Sequence, residues 1–227
     1  MSNSDNSKQT IYMVGDSIID SNPYVDQGHD TCSVLMRELD RQGFEDVDVQ
    51  KWAVDGYTTR DVINQIYKFR RASLYGFDAN DTSKKPNTTA VLSVGGNDAL
   101  QSRFVMDQYT NKVVDAFSLI ERPLSLFRDN YRELLQTMVD GEWERLIVFT
   151  IYNKIPQVIT VAEKTALALF NDVITEEVAK HKLAGANIEL LDLRVICDEP
   201  EDYSYVSPIE PSHQGSQKIV KHLLEIY

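Results

Sequence analysis

Three short stretches combine residue types that could carry acyl transfer: Gly15-Asp16-Ser17, Gly56-Tyr57-Thr58-Thr59 and Gly95-Gly96-Asn97-Asp98. A serine hydroxyl becomes a nucleophile when a base takes its proton and hydrogen-bond donors face the oxyanion that forms. The backbone N–H of Ser17, the backbone N–H of Gly56 and the side-chain amide of Asn97 would supply three such donors. Taken singly, GDS reads as a strand-to-helix turn with a cap and GGND as a turn. Their joint appearance, with a Gly-x-Thr between them, is much harder to attribute to turns.

The surrounding pattern explains how residues so far apart in the chain would meet. Apolar runs at 10–15, 47–54, 88–96, 144–152 and 187–194 read as strands, and amphipathic segments at 31–42, 59–72, 124–140, 161–182 and 214–226 read as helices. Segment 75–88 reads as a surface loop and 99–122 as an irregular insertion. Five apolar strands separated by helices call for a parallel sheet covered on both faces, an α/β fold with a three-layer α/β/α sandwich. In such a sheet the ligand site forms beyond the carboxyl ends of the strands. The three stretches fall at the ends of the first, second and third strands. Residues 1–9 are polar and expected to be a disordered N-terminus, followed by a single domain over 10–227.

A formal net charge of -12 and a pI near 4.7 argue against a nucleic-acid partner and against an anionic membrane surface, since both require basic residues. No run of about 18 apolar residues suggests membrane insertion. The first ten residues lack the apolar core of a signal segment, so a cytoplasmic location is expected. Cys32 and Cys197 lie in no metal-binding spacing, and the four histidines are scattered, so neither a metal nor a cofactor is indicated. No GxGxxG or Walker-type loop follows the first strand, which weakens a nucleotide-binding reading.

The segments GDSI (15–18), GYTT (56–59) and GGND (95–98), in this order and spacing, resemble the first three blocks of the SGNH or GDSL hydrolase family. The similarity extends over the α/β alternation of essentially the whole chain. It implies a flavodoxin-like SGNH hydrolase fold with a five-stranded parallel sheet. It further implies Ser17 as nucleophile, Gly56 and Asn97 as oxyanion-hole donors, and hydrolysis of a small-molecule ester without metal or cofactor. Asp16 and Asp98 would be supporting residues; the Asp16 carboxylate would fix its loop through backbone N–H groups.

The family's last block, an Asp, two residues and the catalytic His, corresponds to SPIEPSHQGSQKIV at 207–220, and two registers are open. In the first, Glu210-Pro211-Ser212-His213 supplies acid-x-x-His: His213 takes the proton of Ser17 and Glu210 orients the imidazole. In the second, Pro211, Ser212 and Gly215 match the residues ahead of the last helix, which puts Glu210 in the place of the His and Ser207 in the place of the Asp. The second fits the backbone better and the first the chemistry, because a carboxylate of ordinary pKa, about 4.3, is a poor base for a serine. The balance tilts slightly to His213. His29 reads as an exposed loop residue and Asp192 as a loop anchor. The apolar residues of 99–122 read as core packing or as one wall of a pocket beside Asn97. A non-catalytic binding domain of the same fold, with a degenerate last block, is the rival to a serine esterase.

Overall fold

Parallel strands covered on both faces should carry unbroken apolar runs, and the three central strands of this chain do so toward their carboxyl ends, whereas the edge strand at 47–51 reads VDVQK. The computed structural model describes residues 8–44, 46–73, 85–141, 143–155 and 159–227. Strands β1 (Gln9–Gly15), β2 (Val47–Lys51), β3 (Lys85–Ser93), β4 (Trp143–Phe149) and β5 (Ile188–Leu191) form one sheet in the order β2-β1-β3-β4-β5, every neighbouring pair parallel. Strand order reverses direction at β1, so the ends of β1 and β3 flank the switch point where α/β sheets open a crevice.

Helices α1 (Thr31–Arg41), α2 (Thr59–Ser73), α3 (Gly96–Gln101), α4 (Val113–Val139), α5 (Val161–Leu183), α6 (Leu193–Ile196) and α7 (His213–Ile226) connect and cover the strands. On one face, Val34 and Leu35 of α1 and Ile219, Val220 and Leu223 of α7 pack against Ile11 and Met13 of β1. On the other, α2, α4 and α5 bury Ile63, Tyr131, Leu134 and Ile174 against Val14, Leu92 and Val148. The expected α/β/α sandwich is the observed architecture. Cys32 and Cys197 are free thiols buried in the first of these cores.

Several boundaries differ from the sequence expectation. Gln9 pairs with Val47, so the ordered chain starts inside the stretch expected to be a disordered N-terminus; residues 1–7 lie outside the described residues. Of the expected 75–88 loop, 75–84 also lie outside them, and β3 claims residues from Lys85 onward. The insertion is more regular than expected: α3 and a 3-10 segment at Arg103–Asp107 precede α4, which begins at Val113 and carries Pro123 within it. Proline interrupts the i→i−4 ladder and ordinarily marks a helix start, but here nearly three largely exposed turns precede it. Among the described residues no helix is long and apolar enough to cross a membrane.

Candidate active site

The end of β1 is shaped by a close approach that glycine alone permits. Gly15 has φ +137°, and a Cβ there would sit 1.7 Å from the carbonyl oxygen of Ser93 at the end of β3. The same carbonyl accepts from Asp16 N at 2.9 Å, and the carbonyl of Asp16 accepts from Ile19 N and Asp20 N, so one helical turn begins at once. This turn carries Ser17, 6% exposed, past the strand end. Asp16 is buried beneath it and accepts from Ile18 N and Ser93 Oγ, both at 3.2 Å. Burial pushes its carboxyl up to about 8, with the Glu210 and Asp98 charges adding to the effect and the hydrogen bonds from Ile18 and Ser93 opposing it.

The second and third stretches are tied to each other by side chains. Gly56 turns the chain with φ +81° in open space. Asn97 Nδ2 donates to the carbonyl of Tyr57 at 3.0 Å, and Asp98 Oδ2 accepts from Thr59 N at 2.9 Å and Thr59 Oγ1 at 3.0 Å. Asp98 thus caps α2 across the rim while Asn97 is held beside the Gly56 turn. Burial raises the Asp98 carboxyl pKa, against the Thr59 hydrogen bonds.

In the last block the structure brings Glu210, and not His213, to Ser17. The backbone here is fixed from several sides. Tyr203 and Pro211 form an isolated antiparallel bridge, Ser204 N donates to Glu210 O at 2.8 Å, and Glu210 N donates to Ser207 O at 2.9 Å. Ser212 N donates to Asp202 O at 2.8 Å, and a Cβ on Gly215 would meet that same oxygen at 2.1 Å. Ser212 caps α7 by accepting from Gly215 N, so the helix begins at His213. Glu210 then turns inward, 5% exposed, toward the Ser17 hydroxyl, which acts to lower its pKa. His213 turns away, its ring stacked on His29 at 3.8 Å with an interplanar angle of 20°. Burial and the neighbouring His29 lower its pKa, with Arg37 adding and a hydrogen bond to the His29 main chain opposing. Among the described residues no hydrogen bond or ion pair joins Glu210 to His213.

The family model for GDSL-like Lipase/Acylhydrolase matches residues 11–219. The chain belongs to this family. No curated protein matches it. The lipase Lip_vut3 from a goat rumen metagenome shares 16% identity over 96% of each chain with a TM-score of 0.69. The family 3 carbohydrate esterase of Clostridium thermocellum shares 18% identity over 96% of this chain and 94% of its own, with a TM-score of 0.62. A G-D-S-L lipolytic protein from Veillonella parvula aligns at 16% identity, 96% and 98% coverage and a TM-score of 0.61. At such identities the likeness is one of fold.

The rim of this GDSL-family chain opens into a cavity of about 210 Å³ whose lining includes Asp16, Ser17, Asn97 and Glu210. The remaining wall is largely apolar, with Ile151 and Ile155 after β4 and Ala166, Leu167 and Phe170 of α5. The 99–122 insertion contributes Ala99, Leu100, Ser102, Arg103, Met106 and Ile120 to the lining, whereas its Phe104, Tyr109, Val113 and Phe117 are exposed, so the expected pocket wall comprises a minority of its apolar residues. Removed from water here, the Glu210 carboxyl is pushed up to about 7; the Ser17 hydroxyl draws it down and the Asp55 charge raises it further. Its Oε2 is buried without a hydrogen-bond partner.

Other residues fall where chemistry needs no special account. Asp192 accepts from Thr150 Oγ1 at 2.8 Å and from the Arg194 guanidinium, anchoring the loop after β5. Asp55, which sequence reading passed over, accepts from Tyr24 Oη at 2.8 Å and bears on Glu210 electrostatically. Its position next to Gly56 was the available signal. Among the described residues no group of three or more His, Cys, Asp or Glu side chains is arranged to hold a metal ion.

Proposed function

We propose that the protein hydrolyses esters through Ser17, with Glu210 as the proton acceptor. Membership of the GDSL-like lipase/acylhydrolase family supports ester hydrolysis in general, and one observation carries the finer reading: Ser17 and Glu210 line one largely apolar cavity, close enough for the hydroxyl to lower the carboxyl pKa. Glu210 stands in the place of a histidine, and burial lifts it into the range where an imidazole titrates. A protonated glutamic acid is neutral, whereas an imidazolium calls for a carboxylate behind it. Ser207, in the place of the family's Asp, suits the neutral acid.

In this mechanism Ser17 Oγ attacks the ester carbonyl carbon as Glu210 accepts the hydroxyl proton. The backbone N–H groups of Ser17 and Gly56 and the Asn97 amide donate to the oxyanion. Collapse breaks the bond to the alcohol oxygen, which leaves with the proton from Glu210. Water then attacks the acyl-serine, Glu210 takes its proton, and the acid departs as the proton returns to Ser17. Asp16 and Asp98 act as positioning residues beneath and across the rim.

A second reading, a binding domain of the same fold, draws on the lack of an imidazole at Ser17 among the described residues. The two separate on hydrolysis of p-nitrophenyl acetate near pH 8 by wild type, Ser17→Ala, Glu210→Gln, Glu210→His and His213→Ala. Loss in Ser17→Ala and Glu210→Gln with recovery in Glu210→His is the expected pattern. A wild type no faster than Ser17→Ala supports the binding domain, and loss in His213→Ala with Glu210→Gln still active returns the base to His213.

A further inference from the structure

We propose that the cavity beside Ser17 is an acyl site for an unbranched chain of about eight carbons, and that the Arg103 and Glu163 ion pair is its outer stop. This rests on the reading of Ser17 as the nucleophile. Glu163, Ala166, Leu167 and Phe170 are spaced to share one face of α5, and all four line the cavity. Phe170 marks the inner end: it packs on Phe127 at 4.9 Å between ring centroids. Phe127 in turn lies where a Cβ on Gly95, two residues before Asn97, would meet it at 3.1 Å. Seven residues on, at 1.5 Å of rise each, the face ends about 10 Å away at Glu163.

At that end Arg103 Nε lies 2.5 Å from Glu163 Oε1, with the Arg103 side chain 60% exposed and that of Glu163 14%. The pair joins the 3-10 segment of the insertion to the first turn of α5 and sets charge against solvent where the apolar wall stops. A zigzag of carbon–carbon bonds about 1.5 Å long advances about 1.3 Å per carbon, so about 10 Å holds about eight carbons. A longer chain would have to displace the pair and a shorter one would leave apolar wall uncovered.

The test is kcat/KM for p-nitrophenyl acetate, butyrate, hexanoate, octanoate and dodecanoate. The expected maximum lies at hexanoate to octanoate, about tenfold or more above both acetate and dodecanoate. Glu163→Gln keeps the capping geometry with Thr160 but removes the ion pair, and is expected to raise the dodecanoate-to-octanoate ratio about fivefold. Ala166→Phe is expected to lower the octanoate-to-acetate ratio about tenfold. Serine-dependent hydrolysis with a maximum at acetate, a flat profile, or a profile indifferent to Glu163→Gln overturns the inference while leaving the esterase reading standing. Should wild type hydrolyse none of these esters, calorimetric titration of Ser17→Ala with methyl octanoate decides the acyl site by itself. Binding that Ala166→Phe abolishes supports it, and no binding overturns it.

Discussion

The Ser17 hydroxyl and the Glu210 carboxyl line the same largely apolar cavity, each about 5% exposed, and the hydroxyl acts to lower the pKa that burial raises. Burial gives this pairing its chemical meaning. In water a glutamate is some two pH units too acidic to match an imidazole; at this site desolvation closes the gap. The same burial raises Asp16 beneath it, so two carboxyl groups of the rim titrate across the neutral range.

Activity is expected to rise with pH through about 7 as Glu210 ionises, because the proton acceptor must be charged. It is expected to turn down above about 8, where Asp16 ionises and adds negative charge beside the developing oxyanion. Asp16→Asn should keep the rising limb and lose the falling one. The kcat/KM profile for p-nitrophenyl acetate between pH 5 and 9.5 checks both limbs; a rise that survives Glu210→Gln would place the ionisation elsewhere.

Stability is expected to fall as pH rises from about 4 to 8. Both pKa values are raised on folding, from 3.8 to about 8 for Asp16 and from 4.5 to about 7 for Glu210. The folded state therefore holds protons that the unfolded state has released, and ionising them in place costs folding free energy. The benefit is complete below the unfolded values and lost above the folded ones. Urea midpoints at pH 5 and 8 should differ in that direction, and Asp16→Asn should narrow the difference; equal midpoints would contradict the assignment.

In the proposed mechanism the Asn97 amide is one of three oxyanion donors. Asn97→Ala is expected to lower kcat by about 10²–10³-fold with little change in KM. Because Asn97 also holds Tyr57, the variant's thermal transition should be recorded alongside. A raised KM at unchanged kcat would mean that the amide binds the ground state instead.

Two rim glycines should respond differently to the same change. Both have positive φ, but a Cβ at Gly15 collides with Ser93 O at 1.7 Å whereas one at Gly56 meets nothing within 4 Å. Gly56→Ala is expected to cost roughly 1–2 kcal/mol from the dihedral alone. Gly15→Ala adds separation of β1 from β3, roughly 3–5 kcal/mol in all. Denaturant unfolding of the two variants gives the comparison, and equal costs would remove the close-approach argument.

How far the chain could be read without its structure follows from how local each feature is. The five strands, their helices and the placing of Ser17, Gly56 and Asn97 at three strand ends are written in periodicity and in short stretches of glycine, hydroxyl and amide residues. Those features depend on backbone geometry within a few residues, which composition along the chain encodes directly. The extent of α4 was less legible, because Pro123 is a stop signal locally and the helix nevertheless continues ahead of it.

The choice between Glu210 and His213 was not local at all. It is decided by the pairing of Tyr203 with Pro211 and by the contact of Gly215 with Asp202, which rotate one side chain toward Ser17 and stack the other on His29. The properties of Glu210 are likewise tertiary: its proton affinity comes from exclusion of water by segments far apart in the chain. Sequence by itself determined which residues reach the rim, since strand ends are a matter of short-range pattern. Only the packed structure decided which of them face one another and how strongly each holds a proton, since contact and desolvation arise from distant segments closing together.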